Sequence, residues 1–131
     1  MQEIGKIDIE KYKGVVSENI ITDDVVLTNN RMEHIIERRG RDFYDEYRPL
    51  FGDIVSDPDY IFKDTRENTA LVCKCFFLKG ATVNIVLKLV VEEDNPDYKN
   101  SIITAVKESK KRFEQRLRNN NPLYKKVDKK E

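Results

Sequence analysis

The chain has 131 residues, with 24 Lys+Arg balanced by 24 Asp+Glu, 39% hydrophobic residues, six tyrosines, six phenylalanines and no tryptophan. That length fits one domain, the apolar share excludes wholesale disorder, and the zero balance argues against indiscriminate coating of nucleic acid. The longest apolar run, Ile85 to Val91, is interrupted by Lys88 and is far too short to cross a bilayer.

Residues 1–24 read as an acidic N-terminal extension, with Glu3, Asp8, Glu10, Glu18, Asp23 and Asp24 against Lys6, Lys11 and Lys13. Met1-Gln2-Glu3-Ile4-Gly5 has neither a basic flank nor an apolar stretch, so no secretion signal is expected. The short apolar pairs Ile7/Ile9, Val15-Val16 and Ile20-Ile21, with Gly14 between them, predict brief extended pieces rather than a long helix. Val25-Val26-Leu27 is one more such piece, and Thr28 after it is a good N-cap. A helix from about Asn29 to Arg39 puts Met32, Ile35 and Ile36 on one face and ends at Gly40. Phe43, Tyr47, Leu50, Phe51 and Ile54 form a second core-facing helical stripe, which Pro49 splits in two.

Strands follow. Tyr60-Ile61-Phe62 opens them, and Thr69 to Leu78 and Ala81 to Val91 alternate apolar with polar around the hairpin signal Lys79-Gly80. An acidic loop, Glu92 to Asp97, leads to a fourth strand from about Ser101 to Val106. A last helix from about Lys107 to Arg118 keeps only Phe113 and Leu117 as its apolar seam and stops at Asn119-Asn120-Asn121-Pro122. Residues 107–130 hold ten Lys/Arg against three acids, so the balanced total hides a basic end, with residues 119–131 as a basic tail. The pattern is α+β in a single domain: N-terminal helices on a four-stranded antiparallel sheet, then a basic C-terminal helix. Cys73 and Cys75 lie two apart on one strand, a poor geometry for a disulfide, and a lone histidine leaves a Cys/His zinc site short of ligands. They read as small buried residues in a reducing compartment, the cytoplasm.

The lone histidine lies on the first long helix, where Arg31, His34 and Arg38 form one stripe opposite Met32, Ile35 and Ile36. Two guanidinium groups around an imidazole suit phosphate chemistry, yet the same stripe suits a merely solvated helix face. Lys88 points away from the apolar face of its strand, amid Val86 and Val90, as a functional cation, an edge gatekeeper or a snorkelling lysine. Lys74 on the partner strand has the same alternatives, and Thr104 is equally readable as a β-favouring polar residue. Glu92-Glu93-Asp94 reads as a solvated turn rather than a cation site, and Tyr124 is placed either to pack on the core or to stack a base.

The stretch Leu27-Thr28-Asn29-Asn30-Arg31-Met32-Glu33-His34-Ile35-Ile36-Glu37-Arg38-Arg39 resembles the Leu-Thr-x-x-Arg-x-x-His-Ile-x-x-Arg-His signature of the phage barnase–EndoU–colicin–RelE-like (BECR) nuclease domains. Asp57-Pro58-Asp59-Tyr60-Ile61, Val86-Leu87-Lys88-Leu89, Asn100-Ser101-Ile102-Ile103-Thr104 and Leu123-Tyr124-Lys125-Lys126 follow in the family's order. The resemblance implies a metal-independent endoribonuclease without a cofactor, a phage- or mobile-element-encoded toxin or effector. Its substrate would be RNA, transfer RNA among the candidates, with an antitoxin or immunity protein as a further partner and no membrane. It points to His34, Arg38, Lys88, Ser101 and Thr104 as the catalytic set. Arg31, Arg39, Lys74, Lys107, Arg116, Tyr124 and Lys125 are the candidate RNA contacts. Arg39 stands where relatives often carry a second histidine, and this favours the alternative: a catalytically inactive RNA- or protein-binding module of the same fold.

Overall fold

A computed structural model of the chain describes residues 1–76 and 80–127. Its elements in chain order are β1 (Gln2–Lys6), α1 (Ile9–Tyr12), β2 (Asp24–Leu27), α2 (Asn29–Arg39), α3 (Arg41–Tyr47), α4 (Phe51–Ser56), β3 (Tyr60–Lys63), β4 (Thr69–Phe76), β5 (Ala81–Lys88), β6 (Asn100–Ser109), α5 (Lys110–Asn119) and β7 (Tyr124–Lys125). Local chemistry sets the helix ends. Thr28 accepts a hydrogen bond from the Arg31 amide at 3.3 Å, and Gly40, at φ +98°, ends α2 with its N–H on the Ile36 carbonyl. Pro49 sits in a 3₁₀ turn, Arg48–Leu50, that separates α3 from α4.

The four strands legible in the sequence are the antiparallel core of the sheet, β6-β5-β4-β3. The sheet is wider than the expected four strands, however: among the described residues it has seven, in the order β1-β2-β6-β5-β4-β3-β7. β1 pairs antiparallel with β2, β2 runs parallel to β6 through Val25↔Asn100 and Val26↔Ser101, and β7 closes the other side on Tyr60 and Ile61. These additions are short, and β2 buries Val25, Val26 and Leu27 in succession. A strand covered on both faces shows no alternation to read. β6 also runs to Ser109, past the expected start of the last helix, because Lys107 and Glu108 still pair with Val83 and Thr82 of β5. Of the hairpin dipeptide, Lys79 lies outside the described residues; Gly80 has φ +60°, where glycine is favoured. Lys129 and Lys130 of the basic tail also lie outside them.

The first 24 residues are built into this fold. Ile7, Tyr12, Val15 and Ile20 are buried in the main core, and the Tyr12 hydroxyl donates to the Val55 carbonyl at 2.7 Å. That core joins one sheet face (Ile61, Val72, Val83, Ile85, Leu87, Ile102) to Ile35 of α2, Tyr44 of α3 and Phe51, Ile54 and Val55 of α4. A smaller cluster on the opposite face seats α5 through Phe113 against Phe62 and Cys73. Cys73 is buried and Cys75 half-buried, both unbridged, and burial pushes both thiols up from their ordinary range. Residues 123–126 are stitched to the sheet as well, by Leu123 N–H to the Ile61 carbonyl at 2.7 Å and Lys126 N–H to the Asp59 carbonyl at 2.8 Å.

α4 crosses β1 closely at Gly52, where an added Cβ would sit 2.8 Å from the Ile4 carbonyl oxygen. Gly52→Ala is therefore expected to cost about 1–3 kcal/mol, the usual scale of overpacking, read as a lower denaturation midpoint. An unchanged midpoint would mean that β1 is seated loosely enough to move aside.

Candidate functional site

The pairing of β5 with β6 decides which side chains share the outer face. Ile85, Leu87, Ile102 and Ala105 belong to the helix-covered core, so their strand neighbours Val86, Lys88, Ser101 and Thr104 face the other way. Lys88 lies directly opposite Ser101, and Val86 opposite Thr104. The register slips between Val86 and Leu87, which leaves Ile103 as the extra residue of a bulge and turns Thr104 outward. α5 covers part of the outer face, with Phe113 packed over β3 and β4 and Arg116 bonded to Glu108 of β6, and does not line the cavity at the Lys88–Ser101 end.

A cavity of about 510 Å³ opens there. Val26, Leu89 and Val90 give it apolar walls; Lys88 and Ser101 lie on the sheet, Thr28 comes from the start of α2, and Asp94, Asp97, Tyr98 and Lys99 come from the loop before β6. The Lys88 ammonium donates to the Glu67 carbonyl at 3.0 Å and has no carboxylate partner among the described residues. A cation bonded only to a neutral carbonyl keeps its charge available for an incoming anion. Lys99 is different, held by Asp24 at 3.0 Å. Lys6 and Lys99 together hold the Asp24 carboxyl below the usual carboxylate range. Asp94 accepts from the Val91 amide at 2.9 Å.

The other residues of the expected catalytic set lie further off. Neither His34, Arg38 nor Thr104 lines the cavity. The Thr104 hydroxyl is sealed without a hydrogen-bond partner, as is the Asn84 carbonyl oxygen on β5. α2 begins at the cavity with Thr28, and the helical rise sets His34 roughly 9 Å and Arg38 roughly 15 Å along its axis. His34 is half-buried and Arg31 and Arg38 are exposed. None of the three makes a side-chain hydrogen bond or ion pair to the described residues. At the end of α2, Arg39 Nε donates to the Ala105 carbonyl at 3.0 Å, beyond the last β6 residue paired with β2. Arg39 thus ties the helix to the sheet.

The chain matches the model of the phage-Barnase-EndoU-ColicinE5/D-RelE like nuclease family over residues 1–125. It belongs to that family. No curated protein and no solved structure matches it. The matched span runs to the last residue of β7, so the family unit takes in both edge strands of the sheet as well as its four central ones.

In this BECR-family chain the expected RNA contacts do not form one patch. Lys74 sits among the helices, with Nζ 2.7 Å from the Asp57 carbonyl and 3.3 Å from its carboxylate. Lys126 also bonds that carboxylate at 2.9 Å, and Lys126 and Lys74 hold it below the usual range. Arg116 grips Glu108 with two hydrogen bonds, at 3.1 and 2.9 Å. Burial works to raise the Glu108 carboxyl, but the bonds from Arg116 and Asn84 outweigh it and hold it low. Tyr124 packs against the main core with Lys11 Nζ 5.3 Å above its ring. Lys107 and Lys125 are exposed.

Among the described residues no three His, Cys, Asp or Glu side chains converge as a metal-holding group, and no helix is long and apolar enough to cross a membrane. Tyr98, Lys99 and Asp97 escaped the sequence reading. Their one signal was an aromatic–lysine pair between the acidic loop and Asn100-Ser101.

Proposed function

We propose that the chain acts as one nuclease domain, a metal-independent endoribonuclease that serves as a toxin or effector of a phage or mobile element in the cytoplasm. The observation that carries this reading is Lys88, a cation without a carboxylate partner among the described residues, directly opposite Ser101 in an open cavity of a BECR-family chain. An RNA strand entering the cavity would run along α2, past Arg31, His34 and Arg38. In this reading His34 takes the proton from a ribose 2′-OH, whose oxygen attacks the adjacent phosphorus. The 5′-oxygen leaves with a proton from the Lys88 ammonium, and a 2′,3′-cyclic phosphate remains. Lys88 stabilises the charge that grows on the phosphorane oxygens, the contribution usually largest in such sites, while Arg38 holds the RNA backbone further along α2. Ser101 supplies a hydroxyl to the phosphate, and no step requires a metal or a cofactor.

Cleavage of labelled transfer RNA and total RNA is expected to persist in EDTA and to leave cyclic-phosphate ends. Loss in chelator, restored by Mg²⁺ or Mn²⁺, would sink the metal-free mechanism. The second reading, an inactive module that binds RNA or an antitoxin, is favoured by Arg39, which fills the position of a second imidazole and is engaged by the Ala105 carbonyl. RNA retained but left uncut under all these conditions decides for it.

A further inference from the structure

We propose that the cavity holds one nucleotide of the RNA strand, its base stacked on Tyr98 and its edge read by the Asp97 carboxylate, so that these two residues set base selection. The proposal rests on the nuclease reading above and adds the substrate contact which that reading leaves open.

Tyr98 is 60% exposed although it is a large aromatic residue, and it lines the cavity instead of the core. The loop that carries it is anchored at its base. Asn100 is fully buried, accepts from the Val90 amide at 2.8 Å and donates to the Thr22 carbonyl at 2.8 Å. Lys99 is clamped to Asp24 and the Tyr98 amide bonds the Asn95 carbonyl at 3.0 Å. An exposed ring held on such a stem is a stacking platform, and every base offers a π-face to it. The cavity volume of about 510 Å³ lies within the ordinary range of small-molecule sites.

Charge orients the occupant. Lys88 and Ser101 form the end that attracts phosphate, whereas Asp94 and Asp97 repel it from the loop end. Asp94 already accepts from a backbone amide, but the Asp97 carboxylate has no hydrogen-bond partner among the described residues, its backbone amide alone being bonded to Asn95 at 2.9 Å. A free carboxylate beside a stacked base accepts from base N–H groups, whose placement differs among the four bases.

The test is calorimetric titration of the full chain with the four nucleoside 3′-monophosphates and with ribose 5-phosphate, kept separate from any cleavage assay. Tyr98→Ala is expected to weaken all four nucleotides by roughly ten-fold or more and to leave ribose 5-phosphate unchanged. Tyr98→Phe should bind like wild type, and Asp97→Asn should reorder the four bases. Nucleotide binding unaffected by Tyr98→Ala, with base ranking unaffected by Asp97→Asn, overturns the proposal. So does a wild-type protein that binds none of the nucleotides, in which case Tyr98 is left as a protein contact. If the nucleotides bind as expected but RNA is never cut, the catalytic reading fails and the base site stands.

Discussion

Replacing His34 with alanine is expected to lower RNA cleavage by about two to four orders of magnitude, the usual scale for losing an acid–base group. Melting temperature and RNA affinity should stay close to wild type, because α2 is held by other groups. Ile35 is fully buried in the main core, Met32 and Ile36 pack beside it, Thr28 caps the first turn and Arg39 ties the last turn to Ala105. His34 is the chain's only histidine and makes no hydrogen bond that its removal would break among the described residues. Lys88→Ala should show the same kinetic loss, since among the described residues its ammonium bonds only the Glu67 carbonyl, while Arg31→Ala should mainly weaken binding. A well-folded His34→Ala protein that cleaves like wild type would remove His34 from the mechanism and leave the cavity residues to account for the chemistry alone.

How far the sequence discloses such a site depends on how local the information is. Alternation along β5 was enough to turn Lys88 away from Leu87, and the Thr28 and Gly40 signals bounded the helix that carries His34, because caps and strand parity are properties of neighbouring residues. β1 and β7 were not visible as strands, and β2 was legible only as the brief extended piece Val25-Val26-Leu27. All three are two to five residues long, and β1 owes its pairing to β2, β2 to β6 and β7 to β3, residues far off in the chain. Partnership is equally non-local. Nothing near Arg116 in the sequence announces that Glu108 takes both arms of its guanidinium, nor does anything near Lys74 announce Asp57. The cavity is the clearest case: it exists only where the ends of β2, β5 and β6 meet the loop before β6, so Tyr98 and Asp97 acquire a meaning that their own neighbourhood does not carry.

Phe113→Ala is expected to undock α5, at a cost of about 3–5 kcal/mol, the range for emptying a buried phenylalanine site. Phe113 is 4% exposed and packs at 5.2 Å from the Tyr60 ring and 6.3 Å from the Phe62 ring, with Cys73 beside it. Among the described residues, half-buried Leu117 and the Arg116–Glu108 pair join Phe113 in attaching this helix to the outer face. Ten residues are too few for a helix to persist alone in water, so release of the ring releases the whole element. The main core lies on the other face of the sheet and shares no buried side chain with this cluster. Amide exchange should therefore accelerate across Lys110–Asn119 while β5 and the β6 residues opposite it stay protected, and nucleotide binding at the Lys88 end should survive. Loss of protection over the entire chain in one step would show instead that α5 is part of a single cooperative core. Unchanged exchange in α5 would show that the Arg116–Glu108 pair holds it without the ring.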